Sequence, residues 1–248
     1  LELSGGRQNG EAWALLAHLL CNDPKRLAAA LKSAVHACAL DAGGTEMILL
    51  KAELLERSGR SEDSFEWLES VLEKDPSNSI IRSEISQMHT FNGRREEAWA
   101  VIEDAPNWGG PELHIQKGRL LLADYDANRD AGHSDTDILA AAEATFREAL
   151  ESDRECGLAW LCLGRCQRLA GDIDEAIISL NRSRRLMDDP MIAAEESLIA
   201  VDEGRIDDAA RLIDEADITE SKSLVIPYVK GLVAAKKGNL TEALERFN

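Results

Sequence analysis

Five glycines constrain this chain more than any other feature. Gly59, Gly93, Gly171, Gly204 and Gly238 each separate two stretches of helical periodicity, at spacings of 34, 78, 33 and 34 residues. The 78 is two periods of 34 with 10 residues added. Two short antiparallel helices joined by a tight turn cannot bury their apolar faces alone, so a chain that repeats such a pair must stack the copies on one another. Taking each glycine as position 15 of a unit starts units at Thr45, Ser79, Gly157, Pro190 and Leu224, and the same pattern extends to units starting at Glu11 and Pro111. The units are then 11–44, 45–78, 79–110, 111–156, 157–189, 190–223 and an incomplete 224–248.

Positions that did not define this register support it. Position 20 is small in all seven units: Ala30, Ser64, Ala98, Ala142, Ala176, Ala209 and Ala243. Position 24 is apolar in all seven: Ala34, Leu68, Ile102, Phe146, Leu180, Ile213 and Phe247. Position 8 is small in six of seven, with Ala52, Ser86, Gly118, Gly164, Ser197 and Gly231 against His18. Small residues where the first helix of a unit (A) crosses the second (B) permit close approach, and a bulkier residue one turn away fills the gap. Gly ends helix A in a left-handed conformation, and an acid just after it is placed to cap helix B, as in Gly171-Asp172-Ile173-Asp174. The reading is all-α, with about fourteen helices and no strands.

The period, together with Trp160-x-x-Leu163-Gly164 followed by Ala176-x-x-x-Leu180, resembles the tetratricopeptide repeat. Ala142-x-x-x-Phe146, Ala243-x-x-x-Phe247 and the closing Asp75-Pro76 carry the same resemblance, which covers residues 11–248. Position 11, commonly Tyr in that family, is never Tyr here, and the first unit has Lys25 in place of the turn glycine. The resemblance implies a single right-handed α–α superhelix, or solenoid, whose concave groove is lined by the A helices.

The fourth unit holds the added residues. The segment 124–137, Asp-Tyr-Asp-Ala-Asn-Arg-Asp-Ala-Gly-His-Ser-Asp-Thr-Asp, is rich in turn-forming types and reads as an inserted surface loop. Asp124, Asp126, Asn128, Asp130 and Asp135 overlap the spacing of a calcium-binding loop, in which alternate residues converge oxygen atoms on one ion. Arg129 stands where such a loop needs Gly, and Asp135 is shorter than the Glu it needs, so a solvated acidic loop is the simpler reading.

No cofactor or metal site is expected elsewhere. Cys162 and Cys166 share a helix face, but C-x-x-x-C without a second pair is not a zinc pattern, and Cys often serves as a small buried hydrophobe. The histidines, His18, His36, His89, His114 and His133, form no metalloprotease pattern. Neither a nucleophile elbow nor a phosphate-binding Gly-rich loop is present. Acid pairs such as Glu195-Glu196 read as exposed helix faces, and the chain reads as non-catalytic. Trp13, Trp67, Trp99 and Trp108 read as packing between repeats. Five cysteines, an odd number in helical contexts, favour a reducing compartment and hence the cytoplasm; a periplasmic home is compatible with a signal segment removed upstream.

Charge bears on the partner. The chain has 46 acidic and 28 basic residues, a net charge of −18, and neither half reverses the sign. Such a field repels phosphate, which disfavours nucleic acid, and no apolar run is long enough to span a bilayer. By the resemblance, A-helix positions 2, 5, 9 and 12 face the groove. They place Gln87, Ile115, Arg119, Leu161, Arg165, Arg168, Ala194, Leu198 and Tyr228 there. Position 5 carries no Lys or Arg and position 9 no Asn, unlike the relatives that clamp a chaperone's acidic tail. The expected function is a scaffold that binds a peptide or protein segment with apolar anchors and an acidic group, the latter held by arginine forks. The arginines have an alternative use, pairing with acids of adjacent helices. A self-assembly module and a regulatory domain of a larger enzyme are the alternative functions.

Overall fold

The computed structural model describes residues 6–106, 110–131, 135–216 and 225–247; Trp108, His133 and Asn248 lie outside them. Among the described residues there are fourteen α-helices, one 3-10 turn at Pro24–Arg26, and no strand. The contacts divide the chain into two compact units, Leu1–Trp108 and Gly109–Asn248.

The first unit holds three antiparallel hairpins: α1 (Gly6–Cys21) with α2 (Leu27–Ala39), α3 (Gly44–Arg57) with α4 (Ser61–Lys74), and α5 (Ser79–Phe91) with α6 (Arg95–Glu103). The second holds four: α7 (Glu112–Asp130) with α8 (Thr136–Ser152), α9 (Gly157–Ala170) with α10 (Ile173–Leu186), α11 (Pro190–Asp202) with α12 (Ile206–Ala216), and α13 (Val225–Lys236) with α14 (Leu240–Phe247).

The repeat register becomes packing. All seven position-20 residues are buried, as are the six described position-24 side chains from Ala34 to Ile213; the Phe247 side chain lies outside the described set. The close crossing of A on B is visible atom by atom. Ser86 Oγ donates to the Ala98 carbonyl at 2.8 Å, and Ser197 Oγ to the Ala209 carbonyl at 2.9 Å. Ser64 Oγ reaches back to the Ala52 carbonyl at 3.0 Å. All three pairs are twelve residues apart, the A-to-B offset of one hairpin. Where the position is Gly the helices leave no room for a side chain: a Cβ on Gly164 would lie 2.9 Å from Leu180 Cγ, and one on Gly118 would lie 2.6 Å from the Phe146 ring.

The turn glycines follow the same logic, but the expected side-chain caps on the B helices after them are missing at α4, α6 and α10. Gly171 ends α9 at φ +88°, left-handed backbone in which a Cβ is strained. Asp172 takes the N-cap place of α10, but its side chain accepts no cap hydrogen bond; Asp174 and Glu175 instead set negative charge in the first turn. Side-chain caps occur at Asn78 on α5, Asp135 on α8 and Asp189 on α11.

The described residues of the inserted segment are mainly helical rather than a loop. Helix α7 runs on to Asp130 and α8 starts at Thr136, so the extra residues lengthen the helices flanking the turn. The reason is apolar anchoring: Leu122 and Tyr125 are buried in the core that α7 shares with α8 and α9, and they carry the helical period through the polar stretch. The calcium-loop expectation fails with it. Asp124, Asp126, Asn128 and Asp130 are helical, and residues two apart on a helix point roughly 200° apart, so their oxygens cannot converge. Asp135 is occupied as the α8 cap, accepting from the Asp137 and Ile138 backbone N–H groups at 3.2 and 3.3 Å. The Asp130 side chain lies outside the described set.

Candidate binding face of the A helices

The predicted face residues fall into three groups. Gln87, on α5, belongs to the first unit; the other eight belong to the second. Ile115, Leu161 and Ala194 are buried in the cores between hairpins. Arg119, Arg165, Arg168 and Leu198 are half-buried, and Tyr228 on α13 is 54% exposed.

Two of the arginines are already answered from within. Arg168 Nε donates to Glu195 Oε2 at 2.8 Å, and its Nη1 lies 3.5 Å from Asp202 Oδ2. Arg165 Nη2 donates to Asp126 Oδ2 at 2.6 Å, and its Nε lies 3.9 Å from Glu195 Oε1. Asp126 also pairs with Arg129 one turn on, at 3.4 Å. The network thus joins α7, α9 and α11. Its hub is Glu195, which is buried although the Glu195-Glu196 pair reads as an exposed helix face. Burial is tolerable because two guanidinium groups converge on that carboxylate. Its neighbour Glu196 turns toward solvent and pairs with Arg184. Position 9 and position 12 pointed to the arginines, but Asp126 was hidden in the supposed loop and Glu195 in a common acid pair.

The cysteines behind this face are inert. Cys162 and Cys166 are buried free thiols; burial pushes the Cys162 thiol up to about 11, and the Cys166 thiol is pushed higher still. Among the described residues no group of three or more His, Cys, Asp or Glu side chains is placed to hold a metal. Trp13, Trp67 and Trp160 pack against the cores. Trp13 stacks on His36 with ring centroids 4.7 Å apart. Trp67 donates its indole N–H to the Ile48 carbonyl at 3.2 Å, under the Lys51 ammonium. No helix among the described residues is long and apolar enough to cross a membrane.

The first unit presents a different A-helix face. A cleft of about 500 Å³ is lined by His18 of α1, by Glu46, Leu49, Leu50, Glu53 and Glu56 of α3, and by Glu84 and Met88 of α5. On α1, either side of the cleft-lining His18 in sequence, Leu15 and Leu19 are 62% and 70% exposed. Polarity therefore differs between the two units: arginines embedded among carboxylates in the second, glutamates over an apolar floor in the first.

Helical hairpins of this period, crossing at small residues and turning at left-handed glycines, define a repeat protein of the α–α superhelix class. The tetratricopeptide repeat model matches residues 139–190, covering most of α8 and all of α9 and α10. The fold of the chain is that of tetratricopeptide-repeat proteins. No similar sequence was found among curated proteins. Among solved structures, a tetratricopeptide repeat protein from Parabacteroides merdae is 16% identical with a TM-score of 0.62, the match covering 97% of this chain and 91% of that one. The Thermus thermophilus protein TTC0263 is 18% identical with a TM-score of 0.58, covering 82% of this chain and all of that one. The human IFIT1 dimer with m7Gppp-AAAA is 18% identical with a TM-score of 0.59, covering 96% of this chain and 62% of that one. This chain thus spans about three fifths of the human protein's length.

Proposed function

We propose that the protein is a non-catalytic scaffold that binds a segment of another protein along the exposed face of its A helices. The observation that carries this reading is made in each unit by itself: Leu15 and Leu19 in the first and Tyr228 in the second are large apolar side chains exposed at A-helix positions 5 and 9. Apolar anchors of this kind supply affinity, and flanking charge sets register and orientation.

In the second unit we assign Arg119, Arg165, Arg168 and Leu198 to the partner-facing surface. Asp202 is exposed and holds Arg168 at 3.5 Å, the longest pairing in the network after Arg165 to Glu195, so an incoming carboxylate can exchange with it. Glu195 keeps both arginines oriented while that exchange occurs.

The test is affinity capture with the intact protein, compared with Arg165→Glu and Tyr228→Asp variants whose melting temperatures match the parent. Loss of a captured protein in both variants is the expected result. Retention of every captured partner in both would remove the assignment. A capped oligonucleotide of the kind named in the human structure serves as a competitor; with a net charge of −18 on this chain, it should leave capture unchanged.

A further inference from the structure

Resting on the reading of the A helices as a binding face, we infer that the first unit takes a cationic partner segment, one that carries lysines or arginines beside apolar anchors. The cleft between α1, α3 and α5 has an apolar floor of Leu49, Leu50 and Met88. Its walls are Glu46, Glu53, Glu56 and Glu84, and the lining contains no Lys or Arg. Glu46 lies 3.6 Å from the His18 Nε2 across the α1–α3 gap, and Glu53 accepts from Arg57 one turn on at 3.2 Å. These partners orient the carboxylates, and both acids keep more than half of their side-chain surface in solvent.

Leu15 and Leu19 extend the site. They lie one helical turn apart on α1, flanking His18, so they form a stripe beside the acidic wall. An apolar stripe with carboxylates along one border is complementary to a segment with the reverse arrangement, apolar residues bordered by cations. The acidic field draws such a segment in, and burial of its apolar side chains on Leu15, Leu19 and the cleft floor holds it. An acidic segment meets repulsion here, so the sign of the charge selects the partner.

Fluorescence anisotropy with the whole chain tests this directly. The probe is a labelled synthetic peptide of Leu-Lys-Lys-Leu repeats, with a Leu-Glu-Glu-Leu peptide of equal length as the reverse-charge control. The expected result is saturable binding of the lysine peptide, and none of the glutamate peptide. Two double variants, Glu53→Lys/Glu56→Lys and Leu15→Ser/Leu19→Ser, should each weaken binding at least ten-fold, the first also flattening its salt dependence. Glu62→Lys/Glu66→Lys on α4 makes the same change in net charge and should alter affinity less than two-fold. Equal weakening by both charge variants, or no effect of the leucine substitutions, would overturn the inference. Arg165→Glu in the second unit should leave peptide binding intact, so a failure here is separable from failure of the general binding reading.

Discussion

Arg168 of α9 and Glu195 of α11 share a hydrogen-bonded ion pair of 2.8 Å in which the side chains are only 12% and 3% exposed. Sequence separates them by 27 residues; the stacking of two hairpins brings them together. Removing one partner leaves the other's charge buried without an answer. Glu195→Ala is expected to cost about 3–5 kcal/mol, because Arg165 loses the same carboxylate. The double variant Glu195→Leu/Arg168→Met should recover most of that loss. Urea unfolding of these proteins, with the single variants Glu195→Leu and Arg168→Met, checks it, and additive losses would show that the two side chains do not act as a pair.

The hairpin crossings make a steric prediction. Gly118→Ala drives a Cβ into the Phe146 ring, and Gly164→Ala drives one against Leu180, with the Ala176 carbonyl at 3.3 Å. Each should cost about 1–3 kcal/mol as an overpacked crossing. Gly171→Ala meets no atom within 4 Å and strains only its left-handed backbone, for about 1–2 kcal/mol. Thermal melts of the three variants separate the two causes when each is paired with the Ser variant: the larger side chain worsens the crossings and leaves the turn near its Ala value.

Calcium should not bind the segment 124–135. Titration calorimetry at millimolar calcium is expected to give no binding heat, and the melting temperature should not move. Asp126→Ala should instead lower stability without calcium, since it strips the 2.6 Å partner from Arg165. A calcium-dependent rise in melting temperature would contradict the helical assignment of residues 124–130.

His89 gives the first unit a pH dependence. Burial, reinforced by the Arg94 charge, holds its imidazole below the usual value of 6.5. Its ring meets Phe65 edge-on with centroids 4.8 Å apart. The unfolded chain therefore binds a proton at a higher pH than the folded one. Its contribution to stability is complete above about pH 6.5 and falls as pH drops through that value toward the lower folded pKa. His89→Leu should flatten the decline in urea midpoint between pH 7 and 5; an unchanged slope would assign the decline to other groups.

Thiol chemistry should sort by burial. At pH 8 an alkylating reagent is expected to modify the half-buried Cys21 and Cys156 and to leave Cys162 and Cys166 untouched in the folded protein, because burial disfavours the thiolates of the latter two. Mass spectrometry of timed samples reads the order, and early labelling of Cys166 would contradict it.

The all-α hairpin pattern was legible in the residues alone because close crossings demand small side chains at fixed intervals, and those intervals survive as Ala30, Ser64, Ala98 and their equivalents. The turns were legible for a similar reason, since left-handed backbone such as that at Gly171 selects Gly. The segment 124–130 was misread because its polar composition imitates a loop, while Leu122 and Tyr125 alone carry the helix through it. Local sequence also showed that Arg165 and Arg168 share the face of one helix. Only the stacking of α7, α9 and α11 decided what those arginines meet, because an ion pair depends on distance between helices and not on spacing along one. That stacking also turned Glu195 from one acid among many into a buried hub, and in the first unit the packing of α3 and α5 gathered their glutamates over an apolar floor.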